Sequence, residues 1–300
     1  MDLDAVRLSF SDDSLVLLNI ILGLIMFGVA LDLTVEDFRR VARSPRSAAV
    51  GLLSQFIILP ALTFGLTLLL KPPPSVALGM ILVAACPGGN VSNFISHMAG
   101  GNTALSVSLT AVSTLGAMAM TPANLVFWGG LNPDTAPMLK ALSLPYGELV
   151  VTVLTILGLP LVLGMYVASK FPGLRLWLQR PMRIFSILAL LGFIVGALAK
   201  NWAPFQAHVS SVLVIVALHN GVALGSGWLT ARLGGLAPRD RRTVAIETGI
   251  QNSGLGLVLI FSFFDGLGGM AIIAAWWGVW HLVGGLTLAT FWSRWPAEAK

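Results

Sequence analysis

Glu247-Thr248-Gly249-Ile250-Gln251-Asn252-Ser253-Gly254 places a carboxylate, hydroxyls, amides and two glycines inside a stretch that otherwise reads as one apolar helix. A second stretch, Cys86-Pro87-Gly88-Gly89-Asn90-Val91-Ser92-Asn93, breaks another apolar run in the same way but carries no charge. In hydrocarbon each unsatisfied backbone group costs several kcal/mol. Both stretches must therefore face protein or a water-filled cavity. Either one alone reads as a kink satisfied by its neighbours. Two in corresponding places, one of them with a carboxylate, read as a paired functional element.

The rest of the chain gives these stretches a membrane setting. Of 300 residues, 56% are hydrophobic and 10% charged, and the mean hydropathy is +0.86. A soluble domain carries about 25% charged residues, and this chain has too little polar surface to cover a core of that size. A span takes about 20 apolar residues, and the pattern predicts about nine, near 14–33, 46–70, 75–98, 102–128, 146–169, 181–201, 204–232, 240–264 and 268–293. Proline and glycine mark the joints at Pro45, Pro72-Pro73-Pro74, Gly100-Gly101, Pro133, Pro145, Pro172, Pro181, Pro204, Pro238 and Gly268-Gly269. No connection is long, so residues 1–300 read as a single membrane domain. Met1-Asp2-Leu3-Asp4 puts no basic segment before an apolar one, and no cleavable leader is expected.

The formal charge of +5 does not indicate nucleic acid, because the basic residues sit in short clusters between apolar spans. One set of loops holds fourteen of them: Arg39, Arg40, Arg43, Arg46, Lys170, Arg175, Arg180, Arg183, Arg232, Arg239, Arg241, Arg242, Arg294 and Lys300. The other set holds four: Arg7, Lys71, Lys140 and Lys200. The first side is expected to be cytoplasmic, with the N-terminus outside and the C-terminus inside. Cys86 is the only cysteine, which excludes an intramolecular disulfide and a cysteine-based metal cluster. The two interrupted helices are five helices apart. A repeat of odd helix number inserts its second copy upside down, so nine helices read as four plus five, with the third and eighth as antiparallel equivalents. Their half-helix ends offer partial charges and free backbone groups to ions.

Among the acids, Asp2, Asp4, Asp12, Asp13, Glu36, Asp37, Asp134, Asp240, Asp265 and Glu298 fall in predicted loops or tails, and Asp32 and Glu148 near helix ends. Only Glu247 is embedded, roughly 10 Å into its helix at 1.5 Å per residue. A carboxylate at depth costs about 2.5–3.5 kcal/mol on insertion scales. No Lys or Arg lies at similar depth in any predicted helix, which leaves a proton or a metal cation as its companion. Gln55, Ser92, Asn93, Ser106, Thr110, Thr248 and Gln251 supply neutral oxygens nearby. Hard cations take oxygen ligands, and a single carboxylate suits Na⁺ better than a divalent ion. A protonated, purely structural acid is the competing reading.

The sequence resembles the bile acid:sodium symporter family, most of all its bacterial members. The resemblance rests on Gly23-Leu24-Ile25-Met26-Phe27-Gly28, on Cys86-Pro87-Gly88-Gly89 with Ser92-Asn93, and on Gly101-Asn102 with Ala104-Leu105-Ser106-Val107. It rests equally on Leu218-His219-Asn220-Gly221, on Glu247 through Gly254, and on Trp280-His281, and it runs from about residue 20 to 293. It implies an all-α inverted-repeat transporter in which two discontinuous helices cross. A core domain (about 46–128 and 204–293) would be separated by a substrate crevice from a panel domain (about 14–33 and 146–201). It implies that the first helix of a ten-helix pattern is missing. It implies two Na⁺ sites: Ser92, Asn93, Ser106, Thr110 and Glu247 through side chains at one, and Gln55, Glu247 and Gln251 through side chains with the Thr248 and Ile250 carbonyls at the other. The implied activity is Na⁺-coupled import of an organic anion, bile-acid-like or a small carboxylate, by alternating access in a bacterial cytoplasmic membrane. Asn90 stands where a bacterial member has Thr, and Leu282 where it has Asn; both fall near the implied crevice.

Asn90, Asn252 and His281 are the candidate substrate contacts. His281 lies near Trp276, Trp277 and Trp280 and reads equally as a packed histidine. His219-Asn220 reads as a structural polar pair, and His97 and His208 carry no assigned role. The histidines show no HExxH spacing, and neither a P-loop nor a GxGxxG motif is present. The Asn90-Val91-Ser92 sequon lies within a predicted span and is set aside. The expected partners are a small organic anion, sodium ions and membrane lipid, with no nucleic acid and no obligate protein. Two rivals remain. One is a proton-coupled transporter or cation/proton antiporter with Glu247 as proton carrier. The other is a membrane enzyme or receptor, for which no nucleophile–base pair stands out.

Overall fold

The computed structural model describes residues 3–5, 12–142, 146–200 and 202–295. Arg7, Pro145 and Lys300 lie outside the described residues, as do the side chains of Lys200 and His208. Among the described residues the regular structure is helical, and an isolated β-bridge joins Gly88 to Gln251. In chain order the helices are α1 (Asp12–Ala30), α2 (Val35–Arg43), α3 (Pro45–Leu53), α4 (Leu59–Leu70), α5 (Pro74–Ala85), α6 (Val91–Met98), α7 (Thr103–Leu131) and α8 (Ala136–Ala141). They continue with α9 (Tyr146–Val153), α10 (Leu159–Lys170), α11 (Pro172–Lys200), α12 (Trp202–Leu233), α13 (Pro238–Gly249), α14 (Ser253–Phe263) and α15 (Gly268–Ser293).

Five stretches are long and apolar enough to cross a membrane: Pro45–Leu70, Thr103–Leu131, Gly147–Lys170, Val212–Leu233 and Gly268–Ser293. The pair α1 and α2, bent by 66°, makes a sixth if taken together. The shorter apolar helices α5 and α14 belong to the two interrupted segments that the sequence marked.

Two spans are continuous only because they change pitch. A π-helical turn at Ser54–Ile58 joins α3 to α4, and another at Leu154–Gly158 joins α9 to α10. Each is followed at once by Leu-Pro, Leu59-Pro60 and Leu159-Pro160. Proline lacks an N–H, and its ring clashes with the carbonyl one turn earlier. A widened turn accommodates both defects without breaking the helix.

Other boundaries depart from the sequence reading. Residues 35–43, expected to be a connection, form α2. Its acids Glu36 and Asp37 lie in the first turn and Arg40 and Arg43 in the last, as the helix dipole favours. Asp37 is correspondingly buried, not a loop acid: its Oδ2 accepts from the Thr34 backbone N–H (2.8 Å) and hydroxyl (2.7 Å), and its Oδ1 from Arg40 (3.2 Å). α11 begins at Pro172, nine residues before the predicted start, and Pro181 lies inside it.

α5 is buried along nearly its whole length and packs against α15, α7 and α4. Its contact with α15 is close at Gly79, where a Cβ would come within 2.8 Å of the Met270 Cα. At the arginine-rich end, Asp240 accepts from Ser47 (3.0 Å) and Asn102 (2.8 Å), tying together the beginnings of α3, α7 and α13.

Candidate functional site

α5 ends at Ala85 because Cys86 turns to an extended conformation ahead of Pro87. α13 ends at Gly249 and Ile250 is likewise extended. Each break leaves carbonyls and N–H groups that helix geometry no longer pairs. The two breaks lie against each other and satisfy one another: the Gly89 N–H donates to the Ile250 carbonyl (2.7 Å), and the Asn252 N–H to the Pro87 carbonyl (2.9 Å). Side chains take most of the remaining carbonyls. Thr121 donates to Ala85 (2.7 Å), Gln55 to Cys86 (2.8 Å), Asn220 to Gly249 (2.8 Å) and Gln251 to Thr248 (2.6 Å). These hydrogen bonds let broken backbone persist at membrane depth.

The glycines of the first break make room for this contact. A Cβ on Gly88 would lie 2.5 Å from Glu247 Oε1, and one on Gly89 would lie 3.1 Å from the Gln251 carbonyl oxygen. Only a residue without a side chain allows the carboxylate and the opposite backbone to approach so closely.

Glu247 is buried and has no ion-pair partner among the described residues. Its Oε2 accepts from Ser92 (2.7 Å) and Ser106 (2.9 Å), and its Oε1 accepts from Thr110 (2.5 Å). Three hydroxyl donors suit an ionised carboxylate, which only accepts. The Thr110 oxygen also lies 3.2 Å from Asn93 Oδ1 and 3.0 Å from the Ser106 carbonyl. A hydroxyl has one proton, so three acceptors compete for it. Oxygen lone pairs here outnumber protons, which is the donor composition a hard cation takes.

Gln55 comes from the π turn of the Pro45–Leu70 span. Its amide nitrogen donates to the Cys86 carbonyl and to Gln251 Oε1, both at 2.8 Å. Its own Oε1 is buried and has no hydrogen-bond donor. Thr248 and Gln251 are buried beside it, with Thr248 Oγ1 3.0 Å from Ser54 Oγ. The Ile250 carbonyl is engaged by Gly89, which leaves it a second lone pair. The nine residues expected as cation ligands thus occupy the paired breaks and the two helices flanking them. Ser54, Thr121 and Asn220 support the breaks and were not singled out in those roles. Asn220 stood only as part of a polar pair, and the position of Ser54 beside Gln55 was the one available signal for it.

The three candidate substrate contacts are arranged differently. Asn90 precedes α6 and Asn252 precedes α14, and both are half-buried. The Asn252 side chain accepts from the Leu255 N–H (3.1 Å), capping its half-helix. His281 is buried on α15 with Nδ1 lacking a hydrogen-bond partner, and no hydrogen bond among the described residues joins it to either asparagine. His219 is packed: its Nε2 lies 2.8 Å from the Thr63 hydroxyl, and its ring lies 4.7 Å from that of Trp277. No group of three or more His, Cys, Asp and Glu side chains suited to a metal ion occurs among the described residues.

Comparison with known proteins gives a consistent picture. The Sodium Bile acid symporter family matches residues 19–217. The uncharacterized sodium-dependent transporter YocS of Bacillus subtilis (strain 168) is 33% identical over 277 residues, covering 92% of this chain and 83% of that protein. The probable sodium/metabolite cotransporter BASS2, chloroplastic, of Oryza sativa subsp. japonica is 33% identical over 278 residues, 90% of this chain and 62% of the rice protein. The ileal sodium/bile acid cotransporter of Homo sapiens is 32% identical over 239 residues, 79% of this chain and 67% of the human one.

Proposed function

The chain belongs to the sodium bile acid symporter family, and on that premise we propose that it couples inward movement of Na⁺ to import of an organic anion, bile-acid-like or a small carboxylate. The observation that carries the proposal is the surplus of buried oxygen over donors around Glu247 and Gln55. One Na⁺ takes Ser92, Asn93, Ser106, Thr110 and Glu247. A second takes Gln55, Glu247 and Gln251 with the Thr248 and Ile250 carbonyls. Two cations against one carboxylate leave a net positive charge beside the half-helix N-termini at Asn90 and Asn252, and an anion is attracted to that charge. Asn90, Asn252 and His281 contact it.

Each broken pair, 74–98 and 238–263, counts as one span in this scheme, and with α1, α11 and the five continuous spans the bundle has nine. Helices between 46–128 and 204–293 form the core, and 14–33 with 146–201 form the panel. The packing of α1 on α10 and α11 supports a separate panel. Rocking of panel on core alternates access to the crevice. The arginine-rich end faces the cytoplasm of a bacterial cell, with the N-terminus outside.

Proteoliposomes with an inward Na⁺ gradient test the proposal using labelled bile-acid conjugates and small carboxylates. Wild-type protein takes up one of these classes with Na⁺ stimulation, and Glu247→Ala does not. Wild-type-like uptake by that variant overturns the scheme. Na⁺ raises the Tm of the wild type relative to choline at fixed pH and ionic strength, as a bound ligand must. A Tm that follows pH and ignores Na⁺ indicates the proton carrier instead.

A further inference from the structure

α11 has 29 residues, a length of about 43 Å at 1.5 Å per residue. The hydrocarbon core of a bilayer is about 30 Å thick and the whole bilayer about 40–45 Å. The uncharged stretch of α11 runs from Ile184 to Ala199; with α11 taken as a span, as proposed above, its first turns, from Pro172 to Arg183, lie at headgroup depth. They lie at the arginine-rich end, because Arg183 and Gln179 both bond Asp32 in the turn before α2 (3.1 and 3.0 Å).

These turns are amphipathic and lack a protein partner on one face. Leu176, Gln179, Arg180, Arg183 and Ile184 line a surface groove. Their spacing of three and four residues puts them on one side of the helix. Leu176 and Trp177 are 73% and 70% exposed. The charge on this face is not neutralised. Arg183 has Asp32, and Arg180 has no hydrogen bond or ion pair among the described residues. On α2, at the same end, the arginines are matched: Arg39 and Arg43 share Glu36, and Arg40 has Asp37.

We infer that the first turns of α11 bind an anionic phospholipid of the leaflet at the arginine-rich end, with its phosphate at Arg180 and Arg183 and its acyl chains along Leu176 and Ile184. The unmatched charge selects an anionic headgroup, and the apolar flanks select a lipid over a free anion. Trp177 occupies the interfacial depth that indole rings favour. The site does not depend on which solute is carried.

The test uses the full chain in nanodiscs of phosphatidylcholine with increasing phosphatidylglycerol, and native mass spectrometry of the lipids retained on release. Wild-type protein retains phosphatidylglycerol in preference to phosphatidylcholine. Arg180→Ala lowers that retention about fivefold, the effect of one basic residue at a membrane surface. Arg39→Ala on α2 leaves it unchanged. Trp177→Ser, which keeps every arginine, also lowers it. Equal retention of the two lipids by the wild type, or unchanged retention in Arg180→Ala, overturns the site. Unchanged retention in Trp177→Ser overturns the lipid in favour of a simple anion site.

Discussion

At the first break, Pro87, Gly88 and Gly89 contribute backbone alone. At the second, Glu247, Thr248 and Gln251 bring a carboxylate, a hydroxyl and an amide to the same contact. The backbone exchange is nearly symmetric, one N–H donated in each direction; the side chains are not. One break supplies the space and the other the charge, and the hydroxyls of Ser92, Ser106 and Thr110 arrive from α6 and α7 to meet it. The two breaks therefore share one backbone contact, while a single ionisable side chain lies between them.

Removing the charge should have the largest effect. Glu247→Gln keeps the size of the side chain and should lose about 3–5 kcal/mol of the stabilisation of the proposed cation, by analogy with breaking a buried ion pair. The readout is loss of the Na⁺-dependent shift in Tm. Next, Gln55→Leu removes the donor to the Cys86 carbonyl and to Gln251 Oε1. It costs about 1–3 kcal/mol for each acceptor left unsatisfied, and it should lower Tm as well as apparent Na⁺ affinity in a titration. Gly88→Ala tests the space directly, since the added methyl meets Glu247 Oε1 at 2.5 Å. Overpacking of this kind costs about 1–3 kcal/mol, and the Na⁺ response should weaken although every proposed ligand is present. The smallest effect should come from Gly256→Ala in α14, where the new methyl finds only ordinary contacts at 3.8 Å and beyond. Helix propensity favours Ala by up to about 1 kcal/mol, so Tm should hold or rise and uptake should continue. Equal losses in Gly88→Ala and Gly256→Ala would erase the distinction between a fitted contact and a generic glycine.

The breaks were legible because Pro-Gly-Gly and the polar run after Glu247 stand out against apolar sequence. The burial of Glu247 followed from its place roughly 10 Å into its predicted helix. The π turns were not legible. Leu59-Pro60 and Leu159-Pro160 signal a local defect, but whether the helix kinks, stops or widens depends on packing around it. The same motif has different content in the two spans: Gln55 bonds the Cys86 carbonyl of the first break, whereas Thr155 is exposed and bonds back to the Val151 carbonyl (2.8 Å). α2 and the early start of α11 were missed for a common reason. Both are too charged for the apolar pattern of a span, and both gain their helical order where the bundle ends.

Cys86 is fully enclosed at the end of α5 and is the molecule's only thiol. Impermeant maleimides applied to intact cells should therefore leave the native chain unlabelled. A cysteine introduced at Trp177 or at another exposed position would then report on its own surroundings without a cysteine-free background having to be built first. The sidedness of the whole bundle can be read one engineered site at a time.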